Sequence, residues 1–258
     1  AAAGLPDAVV GVAPHSLRAV TEDELRSVTK AAAPIHIHVA EQMKEVEDCL
    51  AWSGQRPVEW LQNRFNIDPT WCLVHATHVT DQELGRLCAS GAVVGLCPIT
   101  EANLGDGLFP AASYLNKGGA FGVGSDSNVR IDAAGELCLL EYGQRLDRRA
   151  RNVLAPGEGE SVGATLYRKA LAGGATALAA PAPRLEQGGV ADIVCFPAER
   201  EAYAARTGDA WLDSWIFAGG PVEYVWRRGR RLVEQGRHVA RDAVSSRYRQ
   251  TLKRLLDR

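Results

Sequence analysis

The amino-acid sequence predicts an α/β protein: parallel βα units of a TIM-type (β/α) barrel followed by a small β-domain. Three observations predict it. Short β-branched runs alternate with segments of helical period as far as about residue 130, helix start and stop signals sit between those runs, and beyond residue 186 the texture becomes all-β.

In chain order, Val9-Val10-Gly11-Val12 reads as the first strand. Ile35-His36-Ile37-His38-Val39, Cys72-Leu73-Val74-His75, Val93-Val94-Gly95-Leu96 and Phe121-Gly122-Val123-Gly124 read as the next four. Thr21 with Glu24, and Thr80 with Glu83, have the spacing of capping boxes, in which a hydroxyl and a carboxylate each satisfy an open N–H of the first helical turn. Gly91 stands where the helix begun at Thr80 should stop. Two longer helices follow, from about Asp132 to Val153 and from about Ser161 to Ala172, with Gly173-Gly174 expected to end the second. Strands are then predicted within Gly189–Phe196, Val222–Trp226 and Arg231–Glu234, and a basic amphipathic helix from Ser245 to Arg258. The expected organisation is barrel over 1–185, β-domain over 186–244 and terminal helix over 245–258.

Composition excludes several function classes. The 46% hydrophobic content of the 258 residues supports a substantial core, and 29 basic against 31 acidic residues are mixed along the chain. With a net charge of -2 there is no broad field for nucleic acid or an acidic membrane. The basic run Arg227-Arg228-Gly229-Arg230-Arg231 reads as a solvated turn between strands. No apolar stretch reaches the roughly 18 residues of a membrane span, and the start lacks the pattern of a signal peptide. Six cysteines without a C-x-x-C pair fit buried, reduced thiols, so a cytoplasmic protein is expected.

In a (β/α) barrel the functional side chains collect at the carboxyl ends of the strands. His15 follows the first run, His38 and Glu41 lie at the end of the second, His75 ends the third and Asp126 follows the fifth. Singly, each has an ordinary explanation: a hydrogen-bonded core histidine, a surface glutamate opening a helix, or an aspartate capping one. Their shared position argues for a site. His38 and Asp126 form the best metal pair, because neutral imidazole and carboxylate are usual ligands of catalytic zinc, although iron suits the same donors. Glu41 is placed to shuttle protons over the same mouth. His36, one layer deeper by the two-residue period, is expected to be a support residue.

These residues resemble the amidohydrolase superfamily, in its adenosine, cytosine and guanine deaminase branch. Its strand-five H-x-A-E, strand-six His and strand-eight S-D match His38-Val39-Ala40-Glu41, His75 and Ser125-Asp126. Within that branch Ala13-Pro14-His15-Ser16-Leu17-Arg18, His38-Val39-Ala40-Glu41-Gln42, His75-Ala76-Thr77-His78 and Gly122-Val123-Gly124-Ser125-Asp126-Ser127-Asn128 resemble the formimidoylglutamate deiminases. The resemblance implies zinc-dependent hydrolysis of N-formimino-L-glutamate to N-formyl-L-glutamate and ammonia, a step of histidine breakdown. It implies that His38 and Asp126 ligate one zinc, that Asp126 also takes a proton from the attacking water, that Glu41 protonates the imine nitrogen, and that His75 orients the nucleophile. His15 and Arg18 would hold the glutamate part. A guanidinium offers a carboxylate a planar fork of donors, and a purine has no carboxylate to receive it. The alternatives are another aminohydrolase of the guanine deaminase or triazine hydrolase type, and a non-catalytic fragment.

The family pattern asks for more than the sequence contains. A complete barrel has eight strands and five are counted. The first-strand H-x-H is missing upstream; His36-Ile37-His38 has that spelling, but a single βα unit before His75, and Glu41 just after it, favour strand five. The expectation is an incomplete barrel, strands four to eight, inactive by itself because a catalytic zinc needs about three protein ligands. The terminal helix is expected to pack on a second subunit, as a homodimer.

Overall fold

The computed structural model describes residues 8–257. Four parallel strands, β1 (Ile35–Val39), β2 (Trp71–His75), β3 (Val93–Leu96) and β4 (Ala120–Val123), lie side by side in sequence order. Parallel neighbours need crossovers, and helices supply them. Helix α1 (Glu22–Thr29) precedes β1; α2 (Met43–Ser53) and α3 (Pro57–Arg64) join β1 to β2; α4 (Asp81–Ser90) joins β2 to β3; α5 (Pro98–Leu104) and α6 (Ala111–Asn116) join β3 to β4. Both capping boxes form as read, at Thr21 and Thr80, and Gly91 ends α4 in the left-handed conformation. Ile35, Ile37 and Val39 are buried in one core with Leu73, Val94, Phe121 and the helix residues Leu25, Val46, Leu61 and Leu84. The alternation of β1 therefore turns His36 and His38 to the opposite face.

The first expected strand is not continuous. Among its described residues only Val12 and Ser16 form parallel bridges, to Ile35 and His38. Pro14 and Pro34 each remove an N–H from the ladder, which leaves isolated bonds: Val12 N–H to the Pro34 carbonyl (2.9 Å), His36 N–H to Val12 (2.9 Å) and His38 N–H to His15 (3.0 Å). Gly11 is required there, because a Cβ would lie 2.2 Å from the Pro34 carbonyl oxygen.

After β4 come α7 (Ala133–Arg148) and α8 (Val162–Ala177). The expectation that Gly173-Gly174 ends α8 is overturned, since the helix runs on to Ala177. The glycine serves packing: a Cβ on Gly173 would sit 2.0 Å from the Phe121 carbonyl oxygen of β4. Past the glycines, the Ala177 carbonyl accepts a 2.7 Å bond from His36 Nε2–H on β1, so the support role read for His36 has a named partner.

A second, antiparallel sheet orders β5 (Ile193–Cys195), β6 (Tyr224–Arg227), β7 (Arg230–Glu234) and β8 (Arg237–His238) in sequence, with α9 (Ala210–Phe217) between β5 and β6. The basic run turns between β6 and β7, with φ of 50° at Arg228 and 75° at Gly229, the positive values that a tight hairpin needs. Arg227 pairs with Asp192 at 2.9 Å. The last helix, α10 (Arg241–Leu256), starts ahead of the Ser245 expected and buries none of its residues. All six cysteines are free thiols, and burial pushes Cys72 up to about 12. Among the described residues no helix is long and apolar enough to cross a membrane.

Candidate functional site

The carboxyl ends of the parallel strands carry an unusual backbone. Ala40 just past β1, His75 and Ala76 at the end of β2, and Asp126 after β4 have φ of 51°, 67°, 48° and 51°. For residues with a Cβ this left-handed region costs about 1 kcal/mol or more each, and it persists where surrounding structure imposes it. Here it turns three polar side chains toward one point. An oxygen or nitrogen from each of Glu41, His75 and Asp126 lies within 4.8 Å of those of the other two.

His75 is fully buried at the centre. Its Nδ1 faces Glu101 Oε1 at 3.3 Å, while Nε2 stands 3.7 Å from Glu41 Oε1 and 3.9 Å from Asp126 Oδ2. Desolvation alone would lower the pKa of this imidazole, but the Glu101 hydrogen bond and charge, then Glu41 and Asp126, outweigh it and raise it. With Nδ1–H donated to Glu101, Nε2 points a lone pair toward two carboxylates, and it is buried without a hydrogen-bond partner. Such an arrangement calls for a proton or a cation among the three groups. Imidazole and carboxylate donors are those a catalytic zinc uses, so the residues fit the metal.

Of the other residues singled out in the sequence, His38, His15 and Arg18 border this cluster. The His38 ring stacks on His75 with centroids 5.5 Å apart, and its Nδ1–H donates to the His15 carbonyl at 2.8 Å. That bond fixes the tautomer and leaves Nε2 with the lone pair a ligand needs. The His15 ring lies 4.9 Å from that of His38, and its Nδ1 is 2.9 Å from Ser16 Oγ. Arg18 reaches Glu41 Oε2 at 2.9 Å. His78 Nε2–H donates to the Asp106 carbonyl at 2.7 Å, and His238, exposed, accepts from Ala240 N–H at 3.1 Å.

Four supporting carboxylates escaped the sequence reading: Glu45, Glu101, Asp106 and Glu136. Glu101, on α5 just past β3, lies after the fourth predicted run, the one to which no candidate was assigned, and it is known by its contact with His75. Asp106 takes a 2.9 Å bond from the Gln42 side chain, joining the loop after α5 to the start of α2. Glu136 on α7 accepts Ile99 N–H at 2.8 Å with Oε2, while its Oε1 is buried without a partner. Burial first, then the charges of Glu101 and Asp132, raise its pKa to about 7. A carboxyl raised in the folded state favours folding below its unfolded pKa, and that contribution is lost as pH rises through the folded value. Urea unfolding of the parent protein between pH 4.5 and about 7 should therefore include a loss of stability that Glu136→Gln, whose amide does not ionise, removes. Equal pH slopes in the two proteins would contradict the assignment.

Comparisons with known proteins show what the chain is similar to. The chain is 47% identical over 253 residues to formimidoylglutamate deiminase of Pseudomonas aeruginosa, an alignment that takes in 96% of this chain and 56% of that protein. Its fold superposes on the crystal structure of an amidohydrolase from Brucella melitensis with a TM-score of 0.94 and 53% identity, covering 99% of this chain and 57% of the other. An adenosine deaminase from Xanthomonas campestris with bound zinc matches at a TM-score of 0.85 and 25% identity, over 96% of this chain and 57% of that one. The chain thus spans little more than half the length of the relatives it matches. Residues 4–231 match the amidohydrolase family itself, and on that span, with strand-end His, Glu and Asp side chains gathered at one point, the chain belongs to the amidohydrolase family.

Proposed function

We propose that this chain contributes the downstream part of a zinc-dependent active site that hydrolyses N-formimino-L-glutamate to N-formyl-L-glutamate and ammonia. The observation that carries this reading is the placement of Arg18 2.9 Å from Glu41, which itself lies beside His75 and Asp126. A guanidinium at that point recognises an anionic substrate within reach of a proton-carrying carboxylate. The 47% identity to a formimidoylglutamate deiminase supports it.

His38 and Asp126 would hold the zinc ion, and His75 and Glu41 lie beside Asp126. What bound zinc contributes is Lewis-acid acidification of water. The chain's own groups do the rest. Asp126 takes a proton from the attacking water, His75 orients that water from its buried position, and Glu41 delivers protons to the imine nitrogen and then to the departing ammonia. Arg18, with His15 at its side, holds the glutamate carboxylate; its five N–H donors exceed those used by Ser16 and Glu41. On this reading the Val12 to Ser16 segment and β1 to β4 would be strands four to eight of a (β/α)8 barrel, the antiparallel sheet a small β-domain beside it, and α10 a helix that packs on a second copy in a cytoplasmic homodimer.

Ammonia release from N-formimino-L-glutamate by the intact protein, with a barrel complete enough to supply the remaining metal ligands, is the direct test, and turnover of guanine or a triazine with none of this substrate would refute the substrate assignment. Arg18→Met is expected to raise KM by about 30-fold with kcat changed less, because hydrogen bonds between charged groups contribute roughly 1.5–3 kcal/mol. Steady-state kinetics on the purified variant check it. An unchanged KM would remove Arg18 from substrate binding.

A further inference from the structure

A glutamate at the third position of a helix ordinarily bends back to the N–H of its own N-cap. Glu24 does so to Thr21 at 2.8 Å, and Glu83 to Thr80 at 2.7 Å. At α2 the N-cap is Gln42, whose side chain makes no capping bond, and the third-position residue, Glu45, reaches past it. Its Oε1 accepts the Ala40 N–H at 3.0 Å, and its Oε2 accepts the Glu41 N–H at 3.0 Å. The side chain is buried, and the same Oε2 lies 3.8 Å from the Arg18 nitrogen that pairs with Glu41. Ala40 is one of the residues in the left-handed region, so the carboxylate grips the chain at the strained point from which Glu41 departs. Two acceptor oxygens on one planar group, taken up by two successive N–H groups, fix the orientation of the peptide unit between them.

We propose that Glu45 is a positioning residue: by tying the N–H groups of Ala40 and Glu41, and by sharing Arg18, it aims the Glu41 carboxylate at His75 and Asp126. The proposal rests on the reading of Glu41 as the proton carrier. A glutamine at this position keeps the size but has one acceptor, and its amide would set an N–H against an N–H. An aspartate keeps both oxygens on a shorter stem.

The test compares Glu45→Gln and Glu45→Asp with the parent protein in steady-state kinetics and in hydrogen exchange of individual amides. Glu45→Gln is expected to lower kcat by about 30-fold while KM stays within about threefold, the scale of loss that follows small misplacement of a reacting group. Glu45→Asp should recover at least a third of that loss on a logarithmic scale. In Glu45→Gln the amides of Ala40 and Glu41 should exchange at least about tenfold faster, with Ile37 and Val39 unchanged. A kcat within threefold of the parent, a kcat loss fully accounted for by the unfolded fraction, or unaltered exchange at Ala40 and Glu41 would overturn the proposal. The kinetics are measured in the intact protein; if no protein in the set acts on N-formimino-L-glutamate there, the functional reading fails, and the two amides still decide whether Glu45 holds the turn.

Discussion

Replacing Asp126 by Asn is expected to reduce kcat for N-formimino-L-glutamate by about 10³-fold, within the range that general acid–base groups supply. Asparagine keeps the shape and one oxygen but cannot take a proton, and it removes one of the negative charges that face His75 Nε2. With less charge to balance, zinc content should fall as well. Ammonia release and zinc analysis of the purified variant check both parts. A variant that retains a tenth or more of the parent's turnover would take the proton-accepting role away from Asp126. KM is expected to move little, because Arg18 and His15, not Asp126, hold the substrate's carboxylate in the proposed arrangement.

Gly173→Ala is expected to have the largest effect on stability. The added methyl would meet the Phe121 carbonyl oxygen at 2.0 Å and its carbonyl carbon at 2.5 Å, and neither atom can move without disturbing β4. Overpacking against backbone places the cost at about 3 kcal/mol, a fall in thermal midpoint of roughly 6–12 °C for a domain of this size. Gly174 supplies the control. Nothing lies within 4 Å of a Cβ there, so Gly174→Ala should be neutral or should stabilise α8 by up to about 1 kcal/mol through helix propensity. Thermal unfolding followed by circular dichroism distinguishes the two. Equal effects of the two substitutions would contradict the packing account.

The site was legible where chemistry coincides with local order. Thr21, Thr80 and Gly91 mark helix ends through short-range bonds, so sequence spacing carries them. His38, Glu41, His75 and Asp126 were found because they follow β-branched runs, and the strand-end position is itself a local property. What escaped depends on distance along the chain. Glu101 matters because it meets His75, 26 residues away, and Glu136 because it meets Ile99, 37 residues away. Gly173 reads as a stop signal when only its neighbours are considered, whereas the sheet it packs against gives it a different purpose. The broken first strand was open to the sequence: Pro14 and Pro34 are visible there, and the missing N–H groups follow from their chemistry.

The bond from His36 to the Ala177 carbonyl has a mechanical consequence. Helix α8 lies against β4, while its last turn packs on Cys72 and Val93 of β2 and β3 and is pinned to β1 through His36. The helix thus works as a tie-rod beneath the sheet, anchored at one border by close glycine contact and at the other by a single imidazole. His38 stands two residues along from one anchor and Asp126 just beyond the other strand, so the span between these two groups is set from underneath. A change of side chain at His36 or Gly173, well away from any reacting atom, would alter the width across which His38 and Asp126 face each other.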